Sequence, residues 1–211
     1  MALVKYNDRS IRDLTTTPTA AGGGDTGAIV HIKTLTASTS ATLSFVDGAD
    51  DVVLDSTYPI YKFEFINIHP GTNDSGFMFN GSIDAGSNYN VTKTSTFFYT
   101  YHNEGDSAAG VAYNTGHDLA QGTGDQKLAH GVGNGNDENV IGNLTLFNPS
   151  STTFVKHFIA NTSLNDQGDY AISNYSAGYF NTTSDIDAII FKMDSGNIDS
   201  GKIKLYGIKD A

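Results

Sequence analysis

The chain has 211 residues, with 23 Asp and Glu against 12 Lys and Arg for a formal net charge of −11, and it has no cysteine. That length suits one large β domain or two small ones and can bury a core without covalent staples. Lack of cysteine excludes a disulfide framework and a thiolate zinc site, and the acidic balance disfavours a phosphate backbone, so no nucleic acid is expected as a partner.

The composition also points to a structural class. There are 23 Gly, 4 Pro, 11 Tyr and 12 Phe, with no Trp. Gly, Ser, Thr and Asn between aromatic and β-branched runs mark an all-β chain with many loops. No early apolar run resembles a signal peptide and none approaches a membrane span, so no membrane partner is expected, and folding in a reducing cytosol fits.

The first stretch, MALVKYNDRSIRDLTTTPTAAGGGDTG, mixes charged residues (Lys5, Asp8, Arg9, Arg12, Asp13) with apolar ones that keep no single period. It then passes into a glycine-rich segment that reads as a flexible hinge. Residues 1–27 are therefore expected to form an extended N-terminal arm and linker, and residues 28–211 a sandwich domain. On an otherwise acidic chain, the arm is expected to dock on another chain. Leu3, Val4, Ile11 and Leu14 would bury against that neighbour, and Arg9 and Arg12 would pair with its carboxylates.

Strand signals then recur at short intervals. AIVHIKTL sets Ile29, His31 and Lys33 against Val30, Ile32 and Thr34, and ATLSFV follows. In IYKFEFINIH the alternation of Tyr61, Phe63 and Phe65 shifts phase at Ile66 and Ile68, which predicts a bulge or bend. GFMFNGSI and TSTFFYTYH come next, the second with Phe97, Tyr99 and Tyr101 on one face. NVIGNLTLFNP, TTFVKHFIA, DYAISNYSAGYF, DIDAIIFKM and GKIKLYGI complete the series. No window keeps helical spacing, and about ten short strands between turn signals predict an antiparallel, jelly-roll-like β-sandwich. Its expected core contains Ile32, Leu43, Phe63, Phe79, Leu144, Leu146, Phe158, Ile190 and Leu205. From His102 to Asn139 the rhythm breaks, with only GVAYN strand-like, and a loop of that length is usually functional or mobile.

Catalytic motifs are missing. The chain has no G-x-S-x-G elbow, P-loop, H-E-x-x-H or helix-opening G-x-G-x-x-G. His117 with Asp118 is a pair without further metal-ligand spacing, and DGADD and NGNDEN offer oxygen ligands without the EF-hand order. Glu64, flanked by Phe63 and Phe65, has no evident partner carboxylate for glycoside hydrolysis. No enzyme activity, cofactor or metal is expected. The tyrosines are the candidate recognition groups. Tyr99, Tyr101, Tyr113, Tyr170, Tyr175 and Tyr179 could stack on sugars or bury at a subunit interface. Tyr99, Tyr101 and Tyr113, with the 102–139 segment, are the first candidates, and a homo-oligomer contact is expected before a preformed sugar site because glycine-rich backbone loses much entropy on ordering.

The ending DIDAIIFKMDSGNIDSGKIKLYGI resembles the C-terminal hairpin of β-sandwich proteins of bacteriophage particles, through Ile189 to Met193, Ser195-Gly196-Asn197, Ser200-Gly201 and Leu205-Tyr206-Gly207-Ile208. Tyr206 is expected to anchor on a neighbouring strand and Gly207 to allow a close approach. The opening MALVKYNDRSIRDLT, together with YHNEGDSA and LFNPSSTTFVKHF, resembles virion proteins from phages of marine bacteria. The resemblance implies a structural component of a virion, assembled in the host cytoplasm, with other virion proteins as partners: a head decoration, a knob or a short fibre. The alternative is a receptor-binding module of a tail that holds a host-surface glycan.

Overall fold

Twelve strands follow one another along residues 28–210, the part of the chain that the computed structural model describes, with no helix among them. They are β1 (Ile29–Ser40), β2 (Leu43–Val46), β3 (Ile60–Pro70), β4 (Ser75–Ser82), β5 (Lys93–Asn103), β6 (Ala109–Tyr113), β7 (Gln126–Val132), β8 (Val140–Phe147), β9 (Lys156–Asn165), β10 (Tyr170–Phe180), β11 (Ala188–Met193) and β12 (Ile198–Ile208). The arm residues Leu3, Val4, Arg9, Ile11, Arg12 and Leu14 lie outside the described residues.

Two sheets form, ordered β1-β12-β3-β8-β9-β10-β5-β6 and β2-β11-β4-β7. With β5, β6, β9 and β10 set aside, the other eight strands pair first with last. β1 pairs with β12, β2 with β11, β3 with β8 and β4 with β7, all antiparallel. Such a ribbon of four nested pairs, rolled so that alternate pairs enter opposite sheets, is a jelly roll. The roll is sealed where β12 meets β3 and β11 meets β4. β12, which follows the Ser195-Gly196-Asn197 turn, where Gly196 takes a φ of 71°, thus inserts between β1 and β3.

The remaining strands enlarge one sheet only. The pair β5–β6 enters between β4 and β7, and β9–β10 enters between β8 and β11. Both add beyond β8, so one sheet has eight strands and the other keeps four.

Between the sheets lies an aromatic core. Phe191 of β11 sits at its centre, edge-on to Phe45 and Phe65 at 6.2 and 5.4 Å and stacked on Phe77 at 5.9 Å. Phe79 meets Phe158 edge-on at 5.0 Å. Each such pair adds about 0.5–1.5 kcal/mol beyond the area it buries. Leu43, Phe63, Phe79, Leu144, Leu146, Phe158 and Leu205 are buried as their alternation predicts.

Two expected core residues are not. In AIIF every position is apolar, so periodicity leaves the phase open; the structure buries Ile189 and Phe191, while Ile190 is only half-buried and pairs with Asn80. Ile32 is half-buried, at the register shift between His31 and Lys33 in the edge strand β1. The shift expected in IYKFEFINIH is present between Phe65 and Ile68, with Asn67 at a φ of 50°.

The 102–139 segment is not one long loop. It contains β6 and the whole of β7, an edge strand of the smaller sheet. QKLAHGV hides its strand character because β7 pairs with β4 through two register shifts and buries Gln126, a polar residue, on its core side. Near the C-terminus, Tyr206 packs on His31 of β1 with ring centroids 5.4 Å apart. A side chain at Gly207 would strike the Tyr58 ring, so glycine there permits the close approach.

Candidate functional site

Widening one sheet creates two surfaces that a plain jelly roll lacks. The first is the outer face of β8-β9-β10-β5-β6, turned away from the smaller sheet. Strand alternation and cross-strand register assign it. In β10, Ile172, Asn174, Ser176 and Phe180 are buried, so Ala171, Ser173, Tyr175, Ala177 and Tyr179 point outward. Tyr175 pairs with Phe98 on one side and Asn161 on the other, and Asn161 with Asn143. Phe98 pairs in turn with Tyr113 of β6. The Phe98 and Tyr175 rings stack at 4.9 Å with 9° between planes. Around them Val111, Ile159 and Tyr113 are 72%, 55% and 54% exposed.

No Asp, Glu, Lys or Arg occupies an outward strand position on these five strands. The positions read Ile141, Asn143, Thr145 and Phe147 on β8, and His157, Ile159, Asn161 and Ser163 on β9. On β5 they read Thr94, Thr96, Phe98, Thr100 and His102, and on β6 Ala109, Val111 and Tyr113. Charges flank these positions: His102 pairs with Asp106 of the β5–β6 turn at 3.0 Å, Tyr113 donates to Asp118, and across β3 and β12 Lys62 pairs with Glu64 at 3.0 Å with Lys204 beside Glu64. The Glu64 carboxylate therefore belongs to a surface ion pair.

The second surface is the inner face where β5 and β6 extend past β7. Tyr99 and Tyr101 of β5, Tyr170 and Ile172 of β10, His130 of β7 and Asp166 of the β9–β10 turn line a cleft of about 230 Å³. Tyr99 contacts His130 at 4.5 Å and Tyr101 at 6.0 Å, and Tyr101 meets Tyr170 at 6.1 Å. The facing residues on β6 are Ala112 and Gly110, so little stands above the rings from that side. A Cβ at Gly110 would come within 2.9 Å of the Tyr101 hydroxyl, so a side chain there would displace that ring.

A polar relay runs behind the cleft. Thr162 donates to the Leu128 carbonyl at 2.6 Å, so its oxygen accepts from Asn174 Nδ2 at 3.2 Å. That turns Asn174 Oδ1 toward His130, whose Nδ1 donates to it at 2.9 Å. Nε2 of His130 is then the unprotonated nitrogen, an acceptor. Burial holds His130 below the usual histidine range, and pushes its neighbour His117, 5.1 Å away ring to ring, down to about 4. Both rings are neutral near pH 7, and His117 packs edge-on against Phe97 at 5.1 Å with its Nδ1 buried and unpartnered.

The three tyrosines singled out in sequence thus fall on two surfaces. Phe97, Tyr99 and Tyr101 share one face, as their spacing predicts, but Tyr113 pairs with Phe98 and lies on the other side of the sheet. Tyr113 donates to Asp118, which separates that carboxylate from His117. Tyr175 and Tyr179 are outward and Tyr170 is in the cleft. In the acidic loops, Asp47 accepts from the Leu54 amide at 2.8 Å and Glu138 from the Gly135 amide, so both carboxylates hold turns. Sequence reading did not single out His130, Asp166 or the Phe98–Tyr175 stack. Alternation in TSTFFYTY sets Phe98 opposite Phe97 and Tyr99, but its stack on Tyr175 depends on the β5–β10 register, and His130 and Asp166 reach the cleft only through the pairing of β7 and the tight β9–β10 turn.

No family model matches the chain, and neither does any curated protein or solved structure with which it was compared.

Proposed function

We propose that the protein is a structural component of a virion, a head decoration, knob or short fibre, that performs no chemistry and associates with further copies of itself and with other virion proteins. The observation that carries this reading is the outer face whose strand positions hold no Asp, Glu, Lys or Arg, the carboxylates of Asp106 and Asp118 lying at its β5–β6 margin. Copies that each carry −11 repel one another at long range, so contact between them is least costly where neither presents a charge. Five strands at about 4.8 Å spacing and roughly eight residues at about 3.3 Å rise give a face of roughly 20 by 25 Å. Two such faces bury on the order of 1,000 Å² together, the lower limit for a specific interface. Exposed aromatic and branched side chains at its centre match the composition of interface cores. The resemblance of both ends of the chain to phage particle proteins supplies the setting, the virion assembled in the host cytoplasm. In this reading residues 1–16 dock on a neighbouring chain through Leu3, Val4, Arg9, Ile11, Arg12 and Leu14.

Deletion of residues 1–16 is expected to leave a folded sandwich that no longer enters particles; normal incorporation would refute docking by the arm. A second reading, a glycan-binding module of a tail, is favoured by one observation, the tyrosine-lined cleft with free acceptors on the opposite face of the same sheet.

A further inference from the structure

The cleft combines apolar ring surface with polar groups that nothing in the protein uses. Among the described residues, the hydroxyls of Tyr99, Tyr101 and Tyr170 have no protein partner. Asp166 spends one carboxylate oxygen, Oδ1, on the amides of Gly168 and Tyr170 at 2.8 and 3.0 Å, which fixes the group and leaves Oδ2 free. His130 is held by Asn174 with Nε2 left as an acceptor. Two acceptors without a protein donor and three phenols therefore lie among the rings that line the cleft.

The chemistry of this set selects a ligand class. Free acceptors lining a small space ask for hydroxyl donors, and the Asp166 carboxylate in the lining disfavours an anion. A quaternary ammonium would need rings standing apart as the walls of a box. Here successive rings are adjacent, at 6.0 and 6.1 Å with tilts of 41° and 58°, and leave no gap between them for a cation. A tyrosine ring in the lining suits the flat C–H face of a sugar, whose ring hydroxyls then reach sideways. At about 230 Å³ the space is below the usual range for drug-sized ligands and admits one ring.

We propose that this cleft binds a single neutral pyranose, such as the terminal ring of a glycan, with its C–H face on Tyr99 and Tyr101 and two of its hydroxyls donating to His130 Nε2 and Asp166 Oδ2. The proposal rests on the glycan reading for its ligand class, and is independent of self-association, which uses the other face of the sheet. Tyr170 and Ile172 close the end of the site, and the small Gly110 and Ala112 leave its entrance open.

Saturation-transfer difference NMR tests this on the full chain with the methyl pyranosides of glucose, galactose, mannose and N-acetylglucosamine, and with choline as a separate arm. Saturation is expected on ring C–H protons of at least one glycoside and not on choline. Asp166→Asn and Tyr101→Ala should each weaken binding by about tenfold, the loss expected when a hydrogen bond to a charged group or a stacking ring is removed. Tyr113→Ala, on the opposite face, should leave it unchanged. Tyr101→Phe, which keeps the ring, should retain most of the binding and guards against a folding defect. No saturation of any glycoside overturns the site and the glycan reading together. Binding that survives both cleft variants overturns the site alone, since the sugar then binds elsewhere. Saturation of choline in place of sugar overturns the ligand class.

Discussion

Phe98 and Tyr175 stack nearly parallel, 4.9 Å between ring centroids, on neighbouring strands of the enlarged sheet with their outer faces open to solvent. A cross-strand aromatic pair of this geometry should couple by about 0.5–1.5 kcal/mol. A double-mutant cycle of Phe98→Ala and Tyr175→Ala, read by urea unfolding at low protein concentration, measures that coupling. Additive single-variant effects would show that the rings are neighbours without mutual stabilisation.

Lys93 ties the two sheets together. It is fully buried, donates to Asn80 of β4 and to the Val91 carbonyl, and lies 5.4 Å from the Phe180 ring centre. Burial lowers its pKa to about 8. The folded state thus disfavours the charged form, a penalty fully present below pH 8 and relieved as the pH rises toward the unfolded value near 10.5. Stability of the wild type relative to Lys93→Met, which keeps most of the stem, should therefore rise between pH 8 and 10. A flat difference would contradict the assignment. Lys93→Ala, which also opens a cavity, should cost about 2–4 kcal/mol.

Acidification acts through His117. Its folded pKa of about 4 lies below the unfolded value of 6.5, chiefly through burial, with His130 and Lys127 adding repulsion and Asp194 opposing. The stability this group contributes is present above pH 6.5 and is lost as the pH falls toward 4. Unfolding midpoints should drop over that window, and His117→Gln should flatten the drop. An unchanged slope in the variant would remove His117 as its source.

Gly178 sits where β10 crosses β5, and a Cβ there would collide with the Thr94 carbonyl oxygen, a backbone atom that cannot swing aside. Gly178→Ala should cost about 1–3 kcal/mol by overpacking. Thermal unfolding checks it, and a neutral result would mean that the β10–β5 pairing is looser than the register implies.

Much of this architecture was legible in the sequence, and the parts that were not have physical reasons. Alternation in IYKFEFINIH sufficed to place Phe63 in the core, because polar Lys62 and Glu64 flank it, and alternation in TSTFFYTY sufficed to place Phe97, Tyr99 and Tyr101 on one face. AIIF offered no such contrast, so Ile190 was assigned to the wrong side. QKLAHGV was missed because its bulged register breaks the two-residue period and its inward Gln126 is satisfied by the carbonyls of His117 and Lys127. Spacing along one strand placed Tyr99 with Tyr101, but separating Tyr113 from them needed the β5–β6 register. The cleft gathers residues from β5, β7, β10 and a turn, and such a set is visible only once the strand order is known.

The central claim is self-association through the charge-poor outer face of the larger sheet, and sedimentation velocity of the full chain across the micromolar range tests it most directly. The wild type should sediment as a dimer or larger species whose proportion rises with concentration. The double variant Ile159→Asp, Val111→Asp alters two exposed side chains, keeps the core and places like charges at the contact, and it should sediment as a monomer. A wild type that remains a monomer throughout, or a double variant that associates as well as the wild type, would contradict the account.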